Sequence, residues 1–335
     1  MRKKLLTVSI ASYNVENYIN ETVNSLVVSD EYFDKMEIII VNDGSSDLTS
    51  ALSHDLAKKY PNTVRVLDKE NGGYGSTINA SLAAANGKYY KLLDGDDWFD
   101  TKEVPGFMDY LEKCEADIVV SPYYKVRKSD YLIDNHREIP PEAEIIESLP
   151  VKNRFFAMHE IAVKTNVLRS CGRPVTEHCF YTDTEFVLFC FTAADTIARY
   201  PRPIYRYRLG LDGQSVSLQG IRQHYRDCLT VSERMIQAFT EAEKGASGSK
   251  KDVMEFCIQR IVHHTFYSFM LLEDSKAHRG ELMAFDQKIK DTYPIAYSLG
   301  YRIKLVKLTR LLHFGFYSVL CRLAMRKYEK ELAFH

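Results

Sequence analysis

Apolar positions along this chain follow two rhythms: compact β-branched runs dominate the first third, and helical spacing dominates the last. Leu5 to Ile10, Glu37 to Val41 and Val64 to Leu67 are short runs that read as strands. Between them the spacing changes. Val15, Ile19, Val23 and Leu26 share one helical face within Val15–Val28, and further helices are expected from about Leu48 to Tyr60 and from Ser76 to Asn86. Gly87 stops the last of these before a fourth strand, Tyr89 to Leu93. Strands alternating with helices predict an α/β fold with a mostly parallel, doubly wound sheet and helices on both faces. The loops leaving the strand ends then share one edge, where ligands bind in such sheets.

Those loops carry the polar chemistry. Asp94 and Asp96 flank Gly95, whose freedom to turn lets both carboxylates face one point. Such a pair at a strand end suits a hard divalent cation that leaves room for a substrate's phosphates. Asn42-Asp43-Gly44-Ser45-Ser46-Asp47 mixes turn formers with helix caps. Gly73-Tyr74-Gly75-Ser76-Thr77-Ile78 imitates a dinucleotide fingerprint, but Ile78 stands where the third glycine belongs and the segment follows the third strand. A Rossmann dehydrogenase is excluded on those grounds.

Farther on, Asp117 to Pro122 is a strand, and Tyr123 to Leu149 is a polar, charged excursion. His159, inside Phe155 to Arg169, reads as a packed histidine. Thr182 and Glu185 have capping-box spacing ahead of an apolar helix, Phe186 to Phe191, which places Asp183 at the first helical position. A carboxylate there is favoured in its ionised form by the helix dipole. Pro203 to Arg208 alternates as a strand with Arg206 and Arg208 on one face, leading into the loop Leu209–Ser217. After Ser217 the pattern is helical: Gln219–Glu243, a flexible break over Lys244–Lys250, Val253–Leu272, Glu281–Tyr293 and Tyr301–Tyr328. The last is basic and amphipathic, with Arg302, Lys304, Lys307, Arg310, Arg322, Arg326, Lys327 and Lys330 against only Glu329 and Glu331. Such a segment fits an anionic membrane surface or packs on its own domain with a solvated rim.

Composition narrows the class. Apolar content of 45% and charged content of 27% are those of a globular protein, and a net charge of -1 argues against a nucleic-acid binder. The 7 cysteines form no Cys-x-x-Cys pair and read as reduced core residues of a cytoplasmic protein. Arg2-Lys3-Lys4 before Leu5–Ala11 imitates a signal peptide, but Tyr13-Asn14-Val15-Glu16-Asn17 occupies the place of a cleavage site, so a first strand is expected.

Val8-Ser9-Ile10-Ala11-Ser12-Tyr13-Asn14, Ile40-Val41-Asn42-Asp43-Gly44-Ser45, Glu70-Asn71-Gly72-Gly73 and Leu93-Asp94-Gly95-Asp96-Asp97 resemble, in order and spacing, the motifs of family 2 glycosyltransferases of the GT-A fold. The resemblance covers the first hundred residues closely, with weaker echoes to Ser217. It implies a GT-A domain over residues 1–217, with a donor half (1–100) and an acceptor half (101–217), followed by a helical region over 218–335. It also implies inverting transfer from a nucleotide sugar, UDP-linked by expectation, to a glycan or lipid-linked acceptor in cell-surface polysaccharide synthesis.

On that resemblance Asp43 reads the uracil or ribose, Ser12 and Tyr13 pack beside the base, and Asn71 and Gly72 line the donor. Asp94 touches the ribose or sugar, Asp94 and Asp96 hold Mn²⁺ or Mg²⁺ on the diphosphate, and Asp183 matches the position of the general base. Ala11, Asn42 and the missing arginine before Asn79 depart from the family's commoner residues. The last leaves the diphosphate short of a cation, for which Lys69, Lys91 and Arg208 are the candidates. Trp98 is the only tryptophan, so the Gln-x-x-Arg-Trp motif of processive synthases is absent. A sugar nucleotidyltransferase would need a glycine-rich, arginine-bearing loop where Ala11-Ser12-Tyr13-Asn14 stands. The remaining alternative from another class is a catalytically silent nucleotide-sugar-binding or scaffold protein, and oligomerisation is open.

Overall fold

The computed structural model describes residues 4–127, 130–133, 138–151, 154–210, 217–272 and 276–333. In chain order the first elements are β1 (Leu6–Ser12), α1 (Ile19–Asn24), the short α2 (Asp30–Phe33), β2 (Met36–Asp43), α3 (Thr49–Lys59), β3 (Val64–Lys69), α4 (Tyr74–Ala84) and β4 (Tyr89–Asp94). There follow β5 (Trp98–Phe99), α5 (Val104–Lys113), β6 (Ile118–Val120), β7 (Tyr123–Arg127), β8 (Asp130–Ile133), β9 (Glu144–Ile145), β10 (Ile161–Lys164), α6 (Thr165–Ser170), α7 (Asp183–Ala193), β11 (Thr196–Arg199) and β12 (Tyr205–Arg208). The rest is helical: α8 (Leu218–Ala242), α9 (Gly248–Met270), α10 (Lys276–Thr292), α11 (Pro294–Leu299), α12 (Lys304–Leu311) and α13 (Tyr317–Ala333).

The central sheet runs β3-β2-β1-β4-β10-β6-β11-β9. The four strands of the expected α/β run are parallel, and β10 enters antiparallel between β4 and β6. Alternate side chains of β2 serve different cores. Ile39 and Val41 join the layer of α4, α7 and the later helices, while Ile38 and Ile40 join the layer of α1 and α5. Burial on both faces is why these strands read as unbroken apolar runs.

A second sheet, β5-β12-β7-β8, stands at the ligand edge. Because β5 directly continues the loop of Asp94 to Asp97, pairing β12 with β5 brings Tyr205 and Arg206 opposite Phe99 and Trp98. This pairing delivers β12 onto the acidic loop.

α7 is apolar all round, with Phe186 through Phe191 fully buried. A helix of that kind needs cover on every side. The sheet covers one side, and α8 and α9 pack on the other. One apolar cluster accordingly runs from Ile39 to Ala324, across the boundary expected at residue 217.

Three expected elements are corrected. The helix over Val15–Val28 is only Ile19–Asn24, because Phe99 N–H and Thr101 Oγ1 bond to the hydroxyl and carbonyl of Ser25 and draw the chain out of it. The break over Lys244–Lys250 is a 3-10 turn, Glu243–Gly245, and α9 begins at Gly248. The single helix over Tyr301–Tyr328 is broken by a turn into α12 and α13. His313 and Phe314 take left-handed backbone (φ 47° and 57°), and Gly315 follows before α13 starts. The turn buries Phe314 and lets the Tyr317 hydroxyl donate to the Phe269 carbonyl at 2.8 Å.

Candidate active site

The strand ends place the polar loops side by side. The Asn14 side chain accepts the Ser46 N–H at 2.9 Å, which ties the loop after β1 to the loop after β2. The Ala11 carbonyl accepts the Gly95 N–H at 2.9 Å, which ties β1 to the acidic loop. Ser12 is buried beneath that loop with no partner for its hydroxyl among the described residues, and Tyr13 stands exposed.

Asp43, at the end of β2, is buried and shapes the glycine loop. Its carboxylate accepts the N–H groups of Gly72 at 2.9 Å and Gly73 at 2.8 Å and pairs with Lys69 at 2.8 Å. Asn71 closes the same turn by donating to the Asp43 carbonyl at 3.0 Å. A Cβ on Gly72 would come within 2.7 Å of the Ser76 hydroxyl, so only glycine fits there.

In the acidic loop, the Asp97 N–H returns to the Asp94 carbonyl at 3.0 Å. Asp97 is buried, accepting the Tyr205 hydroxyl at 2.7 Å and the Arg208 N–H at 2.7 Å. Asp94 accepts the Tyr74 hydroxyl at 2.8 Å. Burial raises the Asp94 carboxyl above the usual range, and the neighbouring Asp96 adds to this. Burial raises Asp96 too, with Arg208 pulling it back. These are the marks of carboxylates gathered in a low-dielectric cleft short of positive charge.

His159, in a 3-10 turn before β10, completes the group. Its ring stacks between Tyr123 and Tyr207, at centroid distances of 5.1 and 4.4 Å. Burial, reinforced by Lys91 and Lys125, brings its pKa down to about 3, so the imidazole is neutral. Its Nδ1 is buried and, among the described residues, has no hydrogen-bond partner. Donor atoms of Asp94, Asp97 and His159 lie within 4.8 Å of one another. Two carboxylates and a neutral imidazole with an unused lone pair fit a divalent cation such as Mn²⁺. Among the described residues the Asp96 carboxylate is not in this trio; its backbone carbonyl accepts from Arg208 at 2.7 Å.

The three candidate cations separate cleanly. Lys69 is held by Asp43. Lys91 is fully buried, donates to the His159 and Ile161 carbonyls, and is brought down to a pKa of about 7 by burial. Arg208 alone of the three lies on the acidic loop, its guanidinium 4.3 Å from the centre of the Trp98 ring and paired with Glu21 at 2.6 Å.

Asp183 opens α7 and shares the cleft, within electrostatic reach of Asp94, Tyr74 and Tyr207. Burial raises its carboxyl, opposed by the Thr184 N–H and by Arg260 of α9. The expected capping box is not formed. Thr182 has helical backbone angles and its hydroxyl finds no partner, while Glu185 accepts from Thr176 N–H and hydroxyl at 2.7 and 2.8 Å. Most of the loop Leu209–Ser217, at 211–216, lies outside the described residues.

Sequence reasoning missed Asp97, Tyr74, Tyr205, Arg260 and the buried, unpaired Nδ1 of His159. Only the Tyr-Arg-Tyr-Arg alternation of β12 signalled any of them, since it sets Tyr205 and Tyr207 on one face.

Residues 7–172 match the family described as "Glycosyl transferase family 2". EpsJ of Bacillus subtilis, described as an uncharacterized glycosyltransferase, is 32% identical over 217 residues, covering 61% of this chain and 61% of its own. The minor teichoic acid biosynthesis protein GgaB of the same organism is 34% identical over 114 residues, 33% of this chain and 13% of its own. The matched stretch is 40% to 62% of the length of three such curated relatives. Among solved structures, S. aureus TarS 1-349 in complex with UDP-GlcNAc superposes with a TM-score of 0.69 at 17% identity, over 98% of this chain and 92% of that one. The shared architecture is the GT-A fold.

Proposed function

With a glycosyl transferase family 2 domain over residues 7–172 as premise, we propose that this protein is an inverting glycosyltransferase using a UDP-sugar and a divalent cation. The observation that carries the reading is a carboxylate, Asp183, within electrostatic reach of the acidic loop and its group suited to a metal. When bound, the cation stabilises the negative charge of the departing diphosphate. Asp94, Asp97 and His159 would hold it, with Asp96 beside them, and Arg208 would supply the cation that the diphosphate otherwise lacks. Asp43 would keep the Asn71–Gly73 loop closed against the nucleoside, with Ser12 and Tyr13 on its other side.

Asp183 would accept the proton of an acceptor hydroxyl as that oxygen attacks the anomeric carbon from the face opposite the leaving group. Its carboxylate can do so only while ionised, which Arg260 and the helix N-terminus favour. The acceptor is a hydroxyl of a glycan or lipid-linked glycan; the similarity to a teichoic acid biosynthesis protein supports a cell-surface product. No helix among the described residues is long and apolar enough to cross a membrane.

The test uses the whole chain. UDP binding measured by calorimetry is expected to strengthen with Mn²⁺, and Asp94→Asn is expected to remove that gain. Asp183→Asn is expected to keep UDP affinity and lose about 10²-fold or more of transfer. Unimpaired transfer by Asp183→Asn would remove the base from the reading.

A further inference from the structure

The two C-terminal helices present a surface that donor and acceptor chemistry does not use. Leu308 and Leu311 on α12, Phe316 in the turn, and Val319 and Leu323 on α13 are between 40% and 58% exposed. Five large apolar side chains crowded into sixteen residues, 308–323, form a patch of the kind that marks an interaction site. They are not scattered. Leu308 and Leu311 lie three apart on α12, Val319 and Leu323 four apart on α13, so each helix offers one continuous stripe.

Basic residues flank both stripes. Lys304 and Lys307 share the exposed face of α12, and Arg322 and Arg326 that of α13. The charge pattern is narrower than the sequence suggests. Arg310 is buried, bound to Asp286 at 2.7 and 2.9 Å, and Arg302 pairs with Glu255. Neither contributes to the face.

We infer that α12 and α13 dock the protein on a bilayer surface rich in anionic lipid, with the apolar stripes entering the headgroup boundary and the basic rim meeting lipid phosphates. Charge decides between this occupant and a second copy of the chain. A two-fold contact through the same face would crowd Lys304, Lys307, Arg322 and Arg326 against their own counterparts, whereas anionic headgroups neutralise them. Both α12 and α13 pack on α9, the helix that carries Arg260 to Asp183, so docking would fix the cleft relative to the lipid surface. This inference is independent of the proposed transfer reaction.

The experiment is flotation of the whole chain with phosphatidylcholine vesicles, with and without phosphatidylglycerol. Wild type is expected to float only with the anionic vesicles, and added salt to weaken it. Lys304→Gln with Lys307→Gln is expected to lower vesicle affinity about 30-fold, at ~1 kcal/mol per basic residue near an anionic surface. Leu311→Asp with Phe316→Asp is expected to abolish flotation while leaving the melting temperature in place, since both side chains are exposed. Failure of wild type to float overturns the inference, as does undiminished flotation of the aspartate variant. A wild-type dimer by light scattering that the aspartate variant splits would also overturn it, and assign the face to self-association. The lysine variant keeps the inference testable if the aspartate variant misfolds.

Discussion

The Tyr205 hydroxyl donates to the Asp97 carboxylate at 2.7 Å and accepts the Asp94 N–H at 3.1 Å. One phenol from the second sheet thereby pins both ends of the acidic loop. Tyr205→Phe keeps the packing against Phe99 and deletes both bonds. It is expected to cost about 1–3 kcal/mol in urea unfolding, the penalty for a buried acceptor left short of a donor. Mn²⁺-dependent UDP binding should weaken more than UDP binding alone. Equal weakening of both would mean that Tyr205 stabilises the fold without shaping the cation site.

Arg260 reaches Asp183 from a helix far along the chain, and its consequence is visible in pH dependence. The Asp183 carboxyl is raised by burial and brought back partly by Arg260. Removing the guanidinium leaves the upward push less opposed, so the folded carboxyl ionises at higher pH. A general base acts when ionised, and the acid limb of the kcat profile is expected to move to higher pH in Arg260→Gln, with the plateau above it retained. A limb that stays in place, with a uniformly lower rate, would show that Arg260 serves only packing against Phe155.

Glu37 offers a test of the sheet around β2 alone. Its side chain is buried on β2; burial raises its carboxyl, but bonds from the Thr7 hydroxyl (2.6 Å) and the Asn86 N–H (2.7 Å) and amide, with Arg65 at 2.9 Å, bring it below the usual value. A lowered carboxylate stabilises the fold above its unfolded pKa of ~4.3, and that contribution is lost as pH falls through the folded value. Glu37→Gln is therefore expected to be destabilised by about 1–3 kcal/mol at neutral pH, with the gap from wild type closing below pH ~4. A gap that persists at low pH would assign the loss to shape rather than charge.

The first hundred residues were readable because their signals are local. Each parallel strand is a short apolar run, and each loop after it carries its own turn chemistry, so Asp43 and Asp94 could be placed on one edge from spacing alone. Asp97 was hidden among adjacent carboxylates, because only the pairing of β12 with β5 decides which of them turns inward. His159 is packed as its surroundings suggested, yet the freedom of its Nδ1 depends on Tyr123 and Tyr207, which join it from other strands. Thr182 and Glu185 kept the spacing of a cap but not the bonds, since Glu185 found Thr176 and Arg234 instead. The C-terminal helix failed for the opposite reason. Its periodicity continues through Leu312 and Phe316, and nothing in apolar spacing announces that His313 and Phe314 will turn left-handed.

α7 begins with Asp183 and has no side free of apolar contact. The residue proposed to take the proton therefore stands on a helix whose outer cover is supplied by α8 and α9. For anyone recombining such enzymes, the sensible cut does not fall where the β-rich pattern ends. A chimera that exchanges the later helices to change its acceptor must take α7 along with them, or graft Phe186, Phe189 and Phe191 onto a wall not shaped for them.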